Sequence, residues 1–548
     1  MSDRGQHSRH GAQRDQPGRS GRSRRAFLGL AAGAAASSVA AVAALKATES
    51  DGSAQAASRK PARKPAHPKP VAENSLPGDP DWNITNVGGA NDMLGYVAPA
   101  TISQGQPVTL YASTTAREFT VSVFRVGWYG GAQARLVYTS APVHGVQQAP
   151  FSLTDDTNTV STNWGESLTL PTEDWPPGAY LLRMDAANGA QRFVPMTVIS
   201  PATAGKVVFK SPLPTWQAYN TWGAYDLYNG PQDNYDTRSL VVSLDRPFDA
   251  NGAFMFLAHD QPIIRLAERL GLPLAYVSSM ELDTNPSLLD GASALVSMGH
   301  DEYWTPAERA NVTAARDAGV NVAFMGANCC FRRIRLQDSA LGAQREVVCY
   351  KTSYTQDPMY GVNDALVTSD WREPPDPDPE SSMIGTLYES YPVDASYIVA
   401  TPDAWMFAGT GVQKGTGIPG LVGIEYDRVN PDATVERPIQ VLSHSPVTCR
   451  GVNSYADSAY YTAASGAGVF NAGTMRFVGS LNWGDYREFG VTAATANFVR
   501  QVITNVLVAF ADGPAAHKYP ANDNLDDMQE WAGDPIASQH NLWPPVLL

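Results

Sequence analysis

The segment SALVSMGHDEYWTPAERANVTAARDAGVNVAFM, residues 293–325, decides the fold of the larger part of this chain. It contains two short apolar runs, 293–298 and 320–325, which have the length and composition of buried strands. The residues between the two runs have the pattern of a helix. Strand, helix and strand at this spacing predict a right-handed βαβ unit in a mostly parallel sheet.

The helix inside this unit has clear start and stop signals. Thr305 is a good N-cap, and Pro306 suits the first helical position. Glu308, three residues after the cap, completes the pattern of a capping box. Gly319 provides the end of the helix.

The same alternation extends outward along the chain. Further strands are predicted over 206–209 and 274–277, and further helices over 262–271 and 495–511. We therefore predict a flavodoxin-like α/β domain, similar to the glutamine amidotransferases, over residues 205–513. Several β-like insertions within 337–480 cannot be ordered from the sequence, and the tail 514–548 has little regular pattern.

The region 79–204 has an all-β pattern, with apolar and polar residues alternating around Leu110 and Val121. Turn signals recur at short intervals. Asn188-Gly189 predicts a hairpin with a type I′ turn between two apolar runs. An immunoglobulin-like β-sandwich accounts for this pattern. The predicted fold class is thus a two-domain α+β protein, the sandwich followed by the mostly parallel α/β domain.

The first 57 residues have the pattern of a twin-arginine signal peptide. The pair Arg24-Arg25 precedes Phe27-Leu28 and a weakly apolar stretch, and Ala54-Gln55-Ala56 offers small residues for cleavage. The alternative is that the apolar stretch remains as a membrane anchor. The Pro/Lys-rich residues 58–78 predict a linker, or a basic spacer against an acidic cell envelope. We expect an exported protein that is extracellular or associated with the cell envelope.

Charge and cysteine usage exclude some functions. The chain of 548 residues has a formal net charge of −14, and its first 57 residues are basic, so the body is more acidic still. Such a body has no electrostatic footprint for nucleic acid. Only four cysteines occur and none forms a CxxC pair, which excludes zinc-ribbon and thioredoxin motifs. In an oxidising compartment, a disulfide that involves Cys349 or Cys449 is favoured over a catalytic thiol.

Polar side chains follow three of the predicted strands. Residues 299–304 (GHDEYW), Gly326-Ala327-Asn328 and the aromatic run 216–222 each come directly after a strand. Because ligands bind beyond the carboxyl ends of parallel strands, these loops are expected to face one pocket. Their imidazole, carboxylates and amide would suit metal binding or acid–base chemistry. The alternative is that they only cap strand ends through local hydrogen bonds.

Common catalytic motifs are absent at the places where a strand meets a helix. The sequence has no GxSxG elbow, GxGxxG loop or Walker A segment there. The pair Cys329-Cys330 follows a strand but lacks the Gly-x-Cys-x-Gly elbow of the glutamine amidotransferases. A nucleophilic serine or cysteine is therefore not indicated.

Several segments resemble, in the expected order, the C-terminal domain of the N,N-dimethylformamidase large subunit. The resemblance extends over most of residues 80–510, and GHDEYW before a capped helix is the most specific of the segments. The matching pieces are 219–223 (YNTWG) with Leu227-Tyr228, 245–247 (DRP), 299–304, 324–328 (FMGAN) and 420–428 (GLVGIEYDR).

The resemblance implies hydrolysis of a small or medium amide at a mononuclear iron held by two tyrosines and a glutamate. Tyr219 matches the first tyrosine and Glu302 the glutamate. Pocket residues of the family are matched by His300 and Asn328, and a further carboxylate by Glu425. As a residue of the loop after a strand, Glu302 is expected to be exposed and to reach the pocket without supporting the core.

By the same resemblance, the second tyrosine would lie near His259, where no tyrosine stands. His259 could replace the phenolate, which favours zinc as the alternative to iron. The small subunit of the enzyme is absent from this chain, and the oligomeric state is not determined by the sequence. A function of another class stays open: a secreted binding protein that keeps the fold without catalysis and holds a glycan or an envelope component.

Overall fold

The computed structural model describes residues 72–528 and has a mixed α+β fold with many sheets, as predicted. The predicted signal peptide, most of the linker and the last twenty residues of the tail lie outside the described residues. The folded body begins before residue 79, because Glu73 pairs with Arg135 at 2.6 Å and the Asn74 side chain accepts the Trp128 N–H. Within the described range, no helix is long and apolar enough to cross a membrane.

The first part of the body is built only from strands and short turns. The strands are β1 (Met93–Ala98), β2 (Thr101–Ser103), β3 (Val108–Thr114), β4 (Glu118–Val126), β5 (Ala134–Thr139), β6 (Val143–His144), β7 (Ser152–Thr154), β8 (Thr159–Ser161), β9 (Leu168–Leu170), β10 (Gly178–Ala186) and β11 (Gln191–Ile199). One sheet has the order β1-β3-β9, and a second has the order β2-β11-β10-β4-β5 with β6 beside β4. Strand β7 pairs with β8.

Alternating side chains of the first two sheets form a common core. Leu110, Val121, Val123 and Leu182 are all fully buried in it. The alternation predicted around Leu110 and Val121 therefore marks the inner faces of two sheets, while the immunoglobulin-like topology stays a prediction.

The predicted hairpin at Asn188-Gly189 exists, but its turn type is wrong. A type I′ turn needs positive φ at two residues, and here only Gly189 has it, at 87°. The Gly189 N–H donates to the Ala186 carbonyl at 2.8 Å, which is typical of a three-residue loop ending in a left-handed glycine.

The second part is organised around a seven-stranded sheet. The strands of this part are β12 (Val207–Ser211), β13 (Val241–Ser243), β14 (Leu274–Ser278), β15 (Ala294–Ser297), β16 (Tyr303–Trp304), β17 (Asn321–Phe324), β18 (Arg332–Arg333), β19 (Arg335–Ser339), β20 (Gly342–Val348), β21 (Leu387–Ile398), β22 (Gly417–Arg428), β23 (Ile439–Cys449), β24 (Val452–Thr462) and β25 (Gly468–Asn471). The central sheet has the order β14-β12-β15-β17-β25-β24-β23. Its first five strands are parallel, and β24 and β23 extend it in antiparallel fashion.

Helices connect the parallel strands. The α-helices are α1 (Leu213–Ala218), α2 (Gln261–Leu270), α3 (Ser279–Thr284), α4 (Pro306–Asp317), α5 (Ser381–Ile384), α6 (Arg476–Gly479), α7 (Ala493–Ala511) and α8 (Leu525–Met528). A π-helical turn, Phe256–Asp260, precedes α2. Short 3₁₀ turns span Ala72–Ser75, Tyr129–Gly131, Trp222–Ala224, Pro231–Asp233, Tyr235–Thr237, Lys351–Gln356, Asp364–Leu366, Trp405–Phe407, Ser480–Phe489 and Ala515–His517.

The βαβ unit predicted from residues 293–325 is present as β15, α4 and β17. The Thr305 side chain caps α4 by accepting the Glu308 N–H at 3.0 Å. The predicted capping box is wrong, because the Glu308 carboxylate instead pairs with the buried Lys210 ammonium at 2.5 Å. Glu308, which has the sequence pattern of a helix start signal, thus pairs with Lys210 near the end of β12.

The insertions within 337–480 contribute to two kinds of sheet. Strands β23, β24 and β25 belong to the central sheet, whereas β19, β20, β21 and β22 form small sheets with the orders β13-β20-β19 and β21-β22. A further short parallel pair is β16-β18. The pair β21-β22 places 420–428, one of the segments quoted above, beside the end of β17.

The expected disulfide is absent, because all four cysteines are free and buried. The Cys349 thiol donates to the Arg333 carbonyl and the Cys449 thiol to the Pro392 carbonyl, so each sulfur packs in a different place. Burial raises the pKa of the Cys349 thiol to about 11, which argues against a thiolate nucleophile.

Candidate active site

The candidate site lies beyond the carboxyl ends of β12, β15 and β17, where the segments quoted from the sequence meet. Two glycines allow this approach. A Cβ on Gly299 would lie 2.8 Å from the His259 carbonyl oxygen, and a Cβ on Gly326 would overlap the Gly299 carbonyl. The loops after β15 and β17 therefore pack backbone against backbone.

A cluster of three side-chain groups forms the centre of the site. The Tyr219 hydroxyl donates to one oxygen of Glu302 at 2.5 Å, and the Tyr228 hydroxyl donates to the other at 2.5 Å. The two hydroxyls lie 3.0 Å apart. All three side chains are buried, and Glu302 has no exposed surface, so the expectation that it is exposed is wrong. We call Tyr219, Tyr228 and Glu302 the oxygen cluster.

The chain folds back on itself to bring the two tyrosines together. The Leu227 N–H donates to the Ala218 carbonyl at 3.1 Å, which closes a loop between the two rings. The Asp226 carboxylate accepts the Tyr228 N–H at 2.6 Å and so fixes the turn before this tyrosine. The ring centroids of Tyr219 and Tyr228 are 4.7 Å apart.

Arg246, from the segment DRP, stabilises this loop through hydrogen bonds from its buried guanidinium. Its guanidinium donates to backbone carbonyls along the loop that carries Tyr219, and its side chain is fully buried. The acceptors are the carbonyl oxygens of Gln217, Asn220, Trp222 and Tyr225. Burial lowers the pKa of Arg246 to about 10, so it remains charged at neutral pH.

Two basic side chains, Arg332 and Lys351, lie against the oxygen cluster, and burial lowers the pKa of Lys351 well below its ordinary value. The Arg332 Nε donates to Glu302 at 3.1 Å, and the Lys351 Nζ lies 3.0 Å from the ring centroid of Tyr228. The Tyr303 hydroxyl donates to the Tyr228 hydroxyl at 2.7 Å. Burial, followed by the charge of Glu302, raises the pKa of Tyr303 well above its ordinary value, so Tyr303 remains a donor.

His300 lies between two carboxylates. Its Nε2 is 3.4 Å from Glu302 and 3.9 Å from Glu425, and its ring centroid is 4.8 Å from that of Tyr219. Nε2 is buried without a hydrogen-bond partner within residues 72–528. The imidazole is therefore placed to exchange a proton with a group bound beside the oxygen cluster.

Strand β22 fixes Asn328 through alternate side chains. The Asn328 Nδ2 donates to Glu425 at 2.8 Å, and its backbone N–H donates to Asp427 at 2.8 Å. Asn328 has a φ of 58°, a conformation that asparagine adopts more readily than most residues. Its Oδ1 is buried and has no hydrogen-bond partner among the described residues, so it remains available as an acceptor. The carboxyl of Asp427 has its pKa raised to about 7 by burial.

Comparison with known families identifies the family of the chain. The family described as N,N-dimethylformamidase beta subunit-like, C-terminal, matches residues 120–490, which is more than half of the chain. The chain belongs to this family. The match includes the oxygen cluster, His300, Asn328 and Glu425.

The other comparisons do not indicate a fold or a function for this dimethylformamidase-like chain. No curated protein matches it. Macromomycin matches with 19% identity and a TM-score of 0.10, over 19% of this chain and 98% of its own. A Paenibacillus sp. cycloisomaltooligosaccharide glucanotransferase in complex with cycloisomaltoheptaose matches with 11% identity and a TM-score of 0.15, over 45% of this chain and 29% of its own.

The structure brings together five of the six site residues predicted from the sequence: Tyr219, Glu302, His300, Asn328 and Glu425. His259 lies in a second layer, with its ring centroid 5.8 Å from that of His300. Its Nδ1 is buried without a hydrogen-bond partner in the described part of the chain. Burial, and then the neighbouring His300, lower the pKa of His259 to about 3.

Tyr228 is the site residue that the sequence interpretation missed. It was quoted within a matching segment but given no role, because the second tyrosine was expected near His259. A signal was present in Asp226, since an aspartate two residues before a tyrosine favours a turn that reverses the chain.

The oxygen cluster fits a hard metal ion. No group of three or more His, Cys, Asp or Glu side chains within residues 72–528 is arranged to hold a metal. Two phenols and a carboxylate are a different donor set, composed only of oxygen, and hard cations such as ferric iron prefer oxygen donors. Tyr219, Tyr228 and Glu302 are thus the residues that could hold such an ion.

Proposed function

We propose that this protein is a metal-dependent hydrolase of C–N (amide) bonds, similar to N,N-dimethylformamidase, that acts on a small or medium amide. The observation that carries the proposal is the oxygen cluster, in which two buried phenols converge on the two oxygens of Glu302 at 2.5 Å. Family membership supports the same class of reaction.

Iron is the metal that we propose. A free phenol has a pKa near ~10, so it binds a metal at neutral pH only when a strong Lewis acid displaces its proton. Zinc would be favoured if His259 replaced the second phenolate, but Tyr228 provides a second phenol at Glu302. When bound, the metal would polarise the amide carbonyl and lower the pKa of a bound water.

The remaining polar groups have separate roles in this proposal. His300 accepts a proton at Nε2 from the attacking water and delivers it to the departing amine nitrogen. Glu425 lies near His300 and orients Asn328 by accepting its Nδ2–H. The Asn328 Oδ1 accepts a hydrogen bond from the substrate or from the attacking water, which fixes its orientation.

The function is tested by amine release. Purified protein is incubated with N,N-dimethylformamide, and dimethylamine is measured before chelation, after chelation, and after addition of iron or zinc. We expect turnover that is lost on chelation and restored by iron. Dimethylamine release that survives complete metal removal would overturn metal dependence.

The binding protein without catalysis remains the competing outcome of this experiment. It would give a folded protein with no bound metal and no amide hydrolysis under any condition. A glycan or envelope component would then be the ligand to seek.

We also propose that the protein is exported through its twin-arginine segment and resides outside the cell or at the cell envelope. The support is the sequence pattern of residues 1–57. In cells with the twin-arginine pathway, changing Arg24-Arg25 to Lys-Lys should leave the precursor in the cytoplasm, as measured by fractionation. Unchanged export of this variant would contradict the proposal.

For the fold, we propose the finer assignment made from the sequence. Numbered along the chain, the five parallel strands have the order 2-1-3-4-5, which supports a flavodoxin-like domain. The two facing sheets that precede it support an immunoglobulin-like sandwich.

A further inference from the structure

A recess of about 240 Å³ lies next to the oxygen cluster. Tyr219 belongs to both, because its side chain lines the recess and its hydroxyl donates to Glu302. The recess is therefore separated from the proposed metal ligand Glu302 by a single side chain.

The wall of the recess is mainly aromatic. Trp216, Phe248, Phe254 and Phe256 line it, with Pro195 from β11 on one side. The Trp216 ring packs edge-to-face against Phe256 at 5.9 Å and against Phe248 at 6.5 Å. Such contacts fix the rings and leave an apolar surface toward the recess.

The polar groups in the wall bond to one another. The Thr221 hydroxyl donates to Asp249, and the Asn220 Oδ1 accepts the Asp249 N–H at 3.0 Å. The Asn220 Nδ2 donates to the Pro247 carbonyl at 2.9 Å. These hydrogen bonds occupy the polar atoms of the wall within the protein, so an apolar group is the better occupant of the recess.

The recess is preformed, because its loop is fixed to β11. The Phe193 N–H donates to the Asn251 carbonyl at 2.9 Å, and the Arg192 guanidinium donates to the Ala250 carbonyl. Gly252 has a φ of 90° and packs against the Phe193 carbonyl, where a Cβ would overlap. An apolar cavity of ~150 Å³ is known to admit benzene, so the recess is large enough for one phenyl group.

We propose that this recess binds the apolar substituent of the amide substrate, and that amides with one phenyl-sized group therefore bind more tightly than the smallest formamides do. The inference rests on the proposed function, since it places the amide carbon beside the oxygen cluster. Its physical basis is burial of one face of the substituent against the Phe254 and Phe256 rings.

The test uses acetanilide and N-methylacetamide, two secondary amides with the same acyl group that differ only in phenyl against methyl. Binding to the protein, with and without its metal, is measured by calorimetry, and hydrolysis is measured separately. We expect acetanilide to bind at least about tenfold more tightly, and Phe254→Ala to remove most of this preference.

Two further variants control the interpretation. Phe151→Ala truncates a partly exposed phenylalanine outside the recess and should leave the preference unchanged. Phe254→Leu retains an apolar wall and should give an intermediate preference, and melting temperatures verify folding. Equal binding of both amides by the wild type, or no effect of Phe254→Ala, would overturn the recess as a substrate site. Binding of acetanilide that depends on Phe254, without any hydrolysis, would instead contradict the proposed function. The recess would then remain a binding site for the apolar group.

Discussion

Glu302 accepts hydrogen bonds from two phenols and from a guanidinium, and a histidine lies 3.4 Å away. The carboxylate is fully buried and also balances the positive charge of Arg332, which pairs with Asp370 as well. Glu302 therefore combines a proposed ligand role with a structural one. Its replacement should cost more stability than replacement of a surface carboxylate would.

The role of His300 leads to a prediction about turnover. His300→Asn should retain the metal, because the oxygen cluster is intact, but should lower kcat by roughly 10²–10⁴-fold through loss of proton transfer. Amide hydrolysis and metal content are measured on the same sample. His144→Asn, at an exposed position on β6, is the matched control and should behave as wild type. Unchanged kcat in His300→Asn would remove His300 from the proposed chemistry.

For individual residues, the sequence predicted those that follow a strand. It did not predict Tyr228, which reaches the site through a loop. Glu302 and Asn328 follow β15 and β17, so the carboxyl-edge rule for parallel sheets places them together. Tyr228 reaches the site only because Asp226 turns the chain and Arg246 holds the loop. The turn at Asp226 is local, but the Arg246 bonds join residues more than twenty positions apart, which no local pattern encodes.

Among the structural elements, the loop between α1 and β13 is the one that Arg246 stabilises. Arg246→Met should free several backbone carbonyls from their buried donor and loosen Tyr219 relative to Glu302. We expect a lower melting temperature and weaker metal retention together. Arg135→Met, which removes a half-buried ion pair far from this loop, should lower stability without changing metal retention. Normal metal retention in Arg246→Met would contradict the positioning role.

The end of β12 holds a buried ionic group of Lys210, Asp301 and Glu308, in which Lys210 also lies 3.5 Å from the Trp304 ring centroid. Lys210→Met should destabilise the protein by about 3–5 kcal/mol, because two carboxylates lose their counter-charge. Burial already raises the pKa of Glu308 to about 7. Protonation of Glu308 at low pH should therefore reduce the loss.

The measurement is the free energy of unfolding of wild type and Lys210→Met at pH 5 and pH 8. A larger loss at pH 8 is expected, since Glu308 is then ionised without its partner. A loss that is equal at both pH values would show that Glu308 does not carry the effect.

The elements themselves were largely predictable because their signals are local. The apolar runs, the Thr305 cap and the final amphipathic helix each depend on neighbouring residues, and the structure has them with shifts of a few residues at their ends. Glu308 was misread because its partner, Lys210, is distant in the sequence. The insertions could not be ordered because pairings such as β13 with β20 and β16 with β18 join strands that lie far apart in the sequence.

For the whole molecule, the main feature is a core shared by its two parts. Phe124 and Leu181 of the second sheet belong to the same buried cluster as Val207 and Tyr276 of the α/β part. The Arg125 guanidinium pairs with Glu268 of α2 at 2.8 Å, and both side chains are buried. The boundary predicted near residue 204 therefore lies at a continuous interface.

This interface predicts cooperative unfolding. Calorimetry of the folded body should show one transition rather than two, because neither part keeps its buried face covered alone. Arg125→Met should lower stability by about 3–5 kcal/mol, since it leaves Glu268 buried without its cation. Two well-separated transitions in the wild type would contradict the shared core.

The central claim is that Tyr219, Tyr228 and Glu302 hold the metal, and metal content per chain tests it most directly. Wild type, Tyr219→Phe and Tyr228→Phe are purified from a host with intact twin-arginine export and compared with Tyr235→Phe. Tyr235 lies near the surface, with its hydroxyl 3.0 Å from that of Thr352. We predict about one iron per chain in wild type and Tyr235→Phe, and little in the two cluster variants, with all four folded. Equal metal in all four proteins, or none in the wild type, would contradict the account.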